Sequence, residues 1–376
     1  MCVRACACVS CVCVCACARV RVCVSSSIFC YCLIRSNTIN YIKYKFYLFR
    51  KMFSAVSKPF YIYSAGITII GGGYILRDYF SGELYENDKK LTDKVIIVTG
   101  ANTGIGKEIA RDLAKREAKV IMACRDMEKC ENTRRDIVVE SRNKYVYCRP
   151  CDLASQKSIR DFVEQFKKEH KKLHILINNA GVMRCPKMYT QEGIELQFGV
   201  NHIGHFLLTN LLLDTLKDSA PSRIVNVSSS AHKRGKIKFD DLNNDKSYEP
   251  GEAYAQSKLA NILFTKELAN KLKGTGVTVN AVHPGIVRTE IMRYMGIYQN
   301  FLGRLAVDTL TWLFIKTPIK GAQSVLFAAL DPSLDDITGE YFINNKVAEV
   351  SNEAKNDRVV KWLWAVSEKW TKLDSV

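Results

Sequence analysis

The sequence predicts an α/β protein built on a doubly wound parallel sheet, as one domain behind an N-terminal membrane segment. Three observations carry this. From Lys94 onward, short apolar strands alternate with amphipathic helices. The strands are apolar on both faces, as a parallel sheet covered by helices on each side requires. A glycine turn joins the first strand to the first helix, the place where such folds hold a nucleotide.

The elements follow in order. VIIVTG is the first strand, and the helix after it has Ile-Ala-Leu spacing; KVIMAC is the second, followed by a charged helix from Asp126 to Glu140. YVYCR is the third, with an amphipathic helix from Ser155 to His170, and LHILIN the fourth, with a long, mostly buried helix from Ile194 to Leu216. RIVNVS, a helix from Ala253 to Lys271, VTVNAV, a helix from Ile319 to Leu330 and a short strand EYFI complete the pattern. Right-handed crossovers wind these strands into a nucleotide-binding, Rossmann-type sheet. No internal repeat is present. The expected division is a leader over 1–51, a membrane anchor and linker over 52–91, the sheet domain over 92–350 and a C-terminal helix over 351–376, docking by Trp362, Trp364 and Trp370.

Composition bounds the function. Of 376 residues 47% are hydrophobic, ample for a core. The formal net charge is +17, but ten basic residues precede the first acid, Asp78. A basic leader on a mildly basic body explains this, and a nucleic-acid face is not expected. Ten of the 15 cysteines lie between Cys2 and Cys32; the others are Cys124, Cys130, Cys148, Cys151 and Cys185. This irregular set is not a secreted disulfide framework, so structural thiols in a reducing compartment are expected. Cys148 and Cys151 have CxxC spacing without the second pair or thioredoxin-like context that metal or redox chemistry needs, and no metal is expected.

From Met1 to Val24 the chain alternates Cys-Val, Ala-Cys and Arg-Val, pairs that tandem TG repeats and close variants encode in frame. Residues 1–51 are therefore expected to be disordered or untranslated, with the working start at Met52; a metal-binding tract is the alternative. Phe60 to Leu76 carries no charge. Its seventeen residues would make a helix of about 26 Å against a bilayer core of about 30 Å, a marginal span. Gly71, Gly72 and Gly73 weaken a helix in water but are better tolerated in membranes. A buried helix of the domain is the competing reading.

The turn Gly100-Ala101-Asn102-Thr103-Gly104-Ile105-Gly106 lets the backbone approach a pyrophosphate, while the helix after it directs free N–H groups at the phosphate. At the end of the second strand, where an NAD site places a carboxylate, stands Arg125, whose planar fork suits the 2′-phosphate of NADP(H). Lys107 is a second candidate cation. Asp126 reads as a helix cap, though facing the ribose it would favour NAD. Asp152 ends the third strand within reach of an adenine amine, and Asn179-Ala180-Gly181 ends the fourth at the cofactor side.

Tyr254 and Lys258 stand four apart on one helical face, Ser228, Ser229 and Ser230 end the fifth strand, and Asn201 is a polar residue inside the long helix. Together with TGANTGIGKE, LINNAGVMRCP, FGVNHIGHFLLTNLLLD and SAPSRIVNVSSSAH, this order resembles the short-chain dehydrogenase/reductase family over about Thr92 to Phe342, and within it the retinol dehydrogenase 11 to 14 group. The resemblance implies a catalytic tetrad of Asn201, Ser229, Tyr254 and Lys258, a cofactor turn at Pro284-Gly285, and interconversion of retinaldehyde and retinol with NADP(H), in the reductive direction. It also implies membrane lipid as a neighbour, with a mitochondrial membrane favoured over the endoplasmic reticulum. Another apolar carbonyl substrate, such as a lipid aldehyde or sterol, is the alternative, and a non-catalytic nucleotide sensor a more distant one. Hydride chemistry on a carbonyl needs a proton donor. A lysine cation about 4 Å away, together with the positive charge of the nicotinamide, is expected to lower the tyrosine pKa by about 2.5 units, with Ser229 holding the carbonyl oxygen and Asn201 ordering a water that links Lys258 to solvent. Residues 286–313, rich in Met, Tyr and Ile, read as an apolar lid or as a core or subunit contact, which leaves a homodimer open.

Overall fold

A computed structural model describes residues 6–9, 12–15, 43–48, 51, 58–81, 84–295 and 315–373. Contacts divide the chain into Met1–Ile70 and Gly71–Val376. In the first unit, Cys6–Val9 pairs antiparallel with Val12–Cys15, so part of the thiol-rich leader forms a hairpin. The expected apolar run lies in a helix spanning Lys58–Ser81, with Ile67, Ile69, Ile70, Ile75 and Leu76 exposed. Among the described residues no helix is long and apolar enough to cross a membrane. Glycines and hydroxyl-bearing residues dilute the isoleucines here.

The larger unit holds the sheet. Strands β1 (Val95–Thr99), β2 (Lys119–Cys124), β3 (Val146–Pro150), β4 (Ile175–Asn178), β5 (Ser222–Val227), β6 (Val277–His283) and β7 (Tyr341–Ile343) are parallel, and a short β8 (Lys346–Val347) returns antiparallel. Their order across the sheet is β8-β7-β6-β5-β4-β1-β2-β3. The direction of winding reverses between β1 and β4, so a crevice opens at their carboxyl ends. β1 and β2 are buried at almost every residue, which is why they read as unbroken apolar runs.

Helices α1 (Gly104–Lys115), α2 (Met127–Ser141), α3 (Gln156–Glu169), α4 (Leu196–Lys217), α5 (Pro250–Lys271) and α6 (Pro318–Leu330) cover the two faces. One core packs α1 and α6 against β1, β2 and β4, with Ile96, Val98, Ile109, Leu113 and Val325 at its centre; the other packs α3, α4 and part of α5 beneath Ile97, Ile121 and Leu176. The C-terminal helix α7 (Asp357–Thr371) seats Trp364 against Phe206 at 4.9 Å between ring centroids, and Trp370 edge-on to Phe198 at 5.9 Å. Trp362 instead meets Phe239 at 4.7 Å. The tail thus braces the helix that carries Asn201.

Two features depart from expectation. Cys130 and Cys148 form a disulfide joining α2 to β3, whereas free thiols were expected throughout; Cys124, Cys151 and Cys185 are free and buried. The CxxC spacing is misleading because β3 turns Cys148 towards α2, away from Cys151. Second, α4 is not a regular helix: Gly199–Ile203 winds as a π-turn. The latter part of the expected lid, residues 296–313, lies outside the described residues.

Candidate active site

A cavity of about 790 Å³ occupies the crevice above β1 and β4. Gly100 and Gly104 have φ of 64° and 54°, the left-handed region that favours glycine. A Cβ on Gly106 would lie 2.2 Å from the Gly100 carbonyl oxygen and 2.6 Å from Asn179 Nδ2, so only glycine fits where α1 starts against the turn. Thr103, at the N-cap of α1, places no side-chain bond on the first-turn N–H groups. Those donors face the cavity, whose wall includes Gly100, Asn102, Thr103, Gly104, Ile105 and Gly106. Thr133 Oγ1 donates to the Asn102 carbonyl at 2.9 Å and so ties α2 to the same turn.

Arg125 is exposed on the cavity wall, with Lys129 beside it. Asp126 caps α2, accepting from the Lys129 backbone N–H at 3.0 Å, so its carboxylate is engaged by the helix as expected. Lys107 does not join this end: it pairs with Asp136 at 3.1 Å and lies off the cavity wall. Lys129 was missed in the sequence because it sits inside a charged helix, where a cation carries no signal. Asp152 lines the wall and accepts from the Ala154 N–H at 3.0 Å. Asn179, Ala180 and Gly181 floor the cleft, with Asn179 Nδ2 donating to the Thr99 carbonyl at 2.9 Å. Pro284 and Gly285 line the opposite side. The glycine cradle and the first-turn N–H groups left without a side-chain cap fit a nicotinamide dinucleotide, and Arg125, Asp126 and Lys129 line the wall together, with Lys129 Nζ 3.9 Å from Asp126 Oδ2.

The structure separates the three serines. All three line the cleft, but Ser228 is buried and donates to the Lys258 carbonyl at 2.8 Å, Ser230 is exposed, and Ser229 is the one that bonds to Tyr254. Tyr254 and Lys258 also line the cleft, and Lys258 Nζ donates to the Val227 carbonyl at 2.9 Å. Asn201 is fully buried and does not line it. Its Oδ1 accepts from the Val182 N–H, and its Nδ2 donates to the Val182 carbonyl and to Ser257 Oγ, each at 2.9 Å. These three bonds fix the side chain in place beside the Tyr254–Lys258 helix.

Electrostatics also correct an expectation. Burial pushes the Tyr254 phenol up to about 12, outweighing the Ser229 hydrogen bond and the Arg234 cation, which lower it. Burial pushes Lys258 down to about 8. Desolvation wins because both groups are buried and the lysine spends a donor on Val227. Arg234, on the turn after β5, is the cation that acts on the phenol, and nothing in its sequence position signals that. His283 is buried on the wall and pushed down to about 4, chiefly by burial, so it is a neutral ring at working pH. The wall also carries apolar side chains, Val182, Met183, Leu196, Val200, Ile291 and Met292, beside the charged Arg184, Glu290 and Arg293.

A chain that turns on glycines after its first strand and places Ser, Tyr and Lys at one cleft fits one class of protein, and it belongs to that class: the short chain dehydrogenase family model matches residues 94–297. Its relatives fall where the motifs put them. It is 49% identical over 309 residues to retinol dehydrogenase 13 of Homo sapiens, covering 82% of this chain and 93% of that one. It is 51% identical over 292 residues to retinol dehydrogenase 12 of Homo sapiens, covering 78% and 90%. Among solved structures, an uncharacterised protein from Mycobacterium paratuberculosis matches with a TM-score of 0.62 at 35% identity, covering 77% of this chain and 98% of that one.

Proposed function

We propose that this oxidoreductase is an NADP(H)-dependent reductase of apolar aldehydes that interconverts retinaldehyde and retinol, working in the reductive direction. The observation that carries the reading is the cleft itself, whose one wall brings together Ser229, Tyr254 and Lys258, the cations Arg125 and Lys129, and the apolar Val182, Met183, Leu196, Val200, Ile291 and Met292. The relatives' names point to retinoid as the substrate.

When bound, NADPH supplies the hydride. The glycine turn and the α1 N-terminus would hold its pyrophosphate, Arg125 and Lys129 its 2′-phosphate, and Asp152 its adenine. Ser229 donates a hydrogen bond to the substrate carbonyl oxygen, one that strengthens as negative charge develops there. Tyr254 O–H delivers the proton to that oxygen. A phenol pushed up to about 12 keeps its proton at neutral pH, which suits a donor. The cations of Lys258 and Arg234 and the Ser229 hydrogen bond then stabilise the phenolate. Val182, Met183, Ile291 and Met292 exclude water from the substrate side.

The helix Lys58–Ser81 is about 36 Å long and exposes isoleucines, and its membrane association, with a mitochondrial membrane favoured, is part of this proposal. A substrate panel with NADPH in detergent tests the chemistry. Turnover of retinaldehyde above lipid aldehydes and sterol ketones is expected. Preference for one of the others would move the substrate assignment, and no turnover of any carbonyl would overturn the reading. Fractionation tests the location: recovery in the soluble fraction without detergent would overturn membrane association, and a microsomal pellet only the organelle.

A further inference from the structure

The buried ring of His205 has no part in the chemistry above, yet it stands between its two halves. His205 is 2% exposed and Thr99 1%. Its Nδ1 lies 3.0 Å from the Asn201 carbonyl oxygen, in the π-turn of α4, and its Nε2 lies 2.9 Å from Thr99 Oγ1, at the end of β1. Burial pushes its pKa down to about 4, so the ring is neutral, with one N–H and one lone pair. A carbonyl oxygen only accepts, so the proton sits on Nδ1 and Nε2 is the acceptor. Thr99 must therefore donate its one hydroxyl proton to Nε2. The lone pairs left on Thr99 accept the backbone N–H groups of Asn179 and Ala180, each at 2.9 Å. The opposite tautomer would set two lone pairs facing one another across 3.0 Å. Thr99 Oγ1 also lies 3.4 Å from the Ile177 carbonyl oxygen, but Nε2 at 2.9 Å is the nearer acceptor for its proton.

The chain runs from the Asn179–Ala180 turn, which floors the cofactor side of the cleft, through Thr99 and His205 to the backbone of Asn201. From Asn201 it continues through Nδ2 to Ser257 Oγ, and Ser257 Oγ donates to the Tyr254 carbonyl at 2.8 Å, one residue before Lys258. Buried polar networks with every member satisfied hold one geometry. A π-turn is a rare interruption of an α-helix and recurs at functional sites.

We propose that His205 is a positioning residue: it locks the π-turn of α4 to the cofactor floor, so that cofactor seating and the Tyr254–Lys258 turn are set together. The proposal rests on the reductase reading for its kinetic consequences, but its binding consequence stands alone. His205→Phe keeps a ring and removes both bonds. His205→Asn keeps a donor that can reach back one turn, as Asn210 Nδ2 does to the Phe206 carbonyl at 2.8 Å, and removes the Thr99 acceptor. Thr99→Val cuts the chain from the other end.

The experiment uses the full chain in detergent. It measures kcat and KM for aldehyde, the kinetic isotope effect with C4-deuterated NADPH, and NADPH affinity by fluorescence titration. For His205→Phe, kcat is expected to fall about 10²-fold with aldehyde KM held within about threefold, as a misplaced reacting geometry does. The isotope effect should rise and NADPH bind about tenfold more weakly. His205→Asn should recover part of kcat. Thr99→Val should resemble His205→Phe, and the double variant should lose less than the product of the two single losses. A His205→Phe protein with a lower melting temperature but unchanged kcat, isotope effect and NADPH affinity overturns the proposal, as do additive losses in the double variant. If the unaltered protein turns over no carbonyl, the reductase reading fails, while the NADPH titrations of the same three variants still decide the coupling.

Discussion

Lys258 Nζ stands 5.8 Å from the centroid of the Tyr254 ring, one turn further along α5, and burial lowers its pKa to about 8 while raising that of the phenol. The pair therefore works as a protonated phenol beside a cation that is easily discharged. The ammonium is charged below about pH 8 and loses its proton above it. The reductive kcat/KM, which reports the free enzyme, should be flat at neutral pH and fall as pH rises through about 8. Lys258→Met should be nearly inactive across the range. A profile flat up to the pKa of an ordinary lysine would show that burial does not lower the pKa of Lys258, and one flat beyond it that the charge on Lys258 does not matter.

Arg125, Asp126 and Lys129 line one stretch of the cleft wall; Asp126 Oδ1 caps α2 and its Oδ2 lies 3.9 Å from Lys129 Nζ, which leaves Arg125 as the first candidate for a 2′-phosphate. Arg125→Asp should shift preference from NADPH towards NADH. Loss of a charged hydrogen bond weakens NADPH by roughly 10- to 100-fold, while the new carboxylate can accept from the ribose hydroxyl of NADH. The ratio of kcat/KM for the two cofactors measures this. An unchanged ratio would transfer the role to Lys129.

Gly106→Ala puts a methyl 2.2 Å from the Gly100 carbonyl oxygen, and backbone must move to admit it. Overpacking costs about 1–3 kcal/mol. The effect on NADPH should exceed the effect on melting temperature, because the displaced atoms belong to the phosphate turn. Titration of NADPH fluorescence beside thermal denaturation separates the two, and unaltered affinity would remove the turn from the cofactor site.

Burial holds His202 down to about 3, and His205 and His283 down to about 4. Above about pH 6.5 these rings are neutral in the folded and unfolded chain alike. As pH falls below that value the unfolded chain takes up protons that the fold refuses, so stability falls until the folded pKa is reached. Each ring contributes a loss on the order of 2 kcal/mol at pH 5. The melting temperature should drop steeply between pH 7 and 5, and less steeply in His202→Phe, provided that variant folds. A flat curve would mean that the rings are protonated in the fold.

Much of this was legible from residue order. β1 to β6 and the helices between them follow from apolar runs and their spacing, and the glycine turn, Tyr254 and Lys258 from pattern within that frame. Other features had no local signal. The Cys130–Cys148 disulfide joins a helix to a strand and depends on which way β3 turns its side chains. Lys129 and Arg234 acquire meaning only from what they face. The π-turn around Asn201 depends on bonds to Val182, Ser257 and His205 that periodicity does not encode. The raised pKa of Tyr254 in the absence of cofactor depends on burial, which no spacing along the chain encodes.

The central claim is that Tyr254 delivers the proton to an apolar aldehyde in a cleft that holds NADPH. The most direct measurement compares the unaltered protein with Tyr254→Phe in retinaldehyde-dependent NADPH oxidation, with NADPH affinity titrated on both. Removal of a general acid costs about 10²- to 10⁴-fold. The account predicts a loss of turnover in that range with NADPH affinity within about threefold, because the ring and its packing are kept. Equal turnover in the two proteins would contradict it.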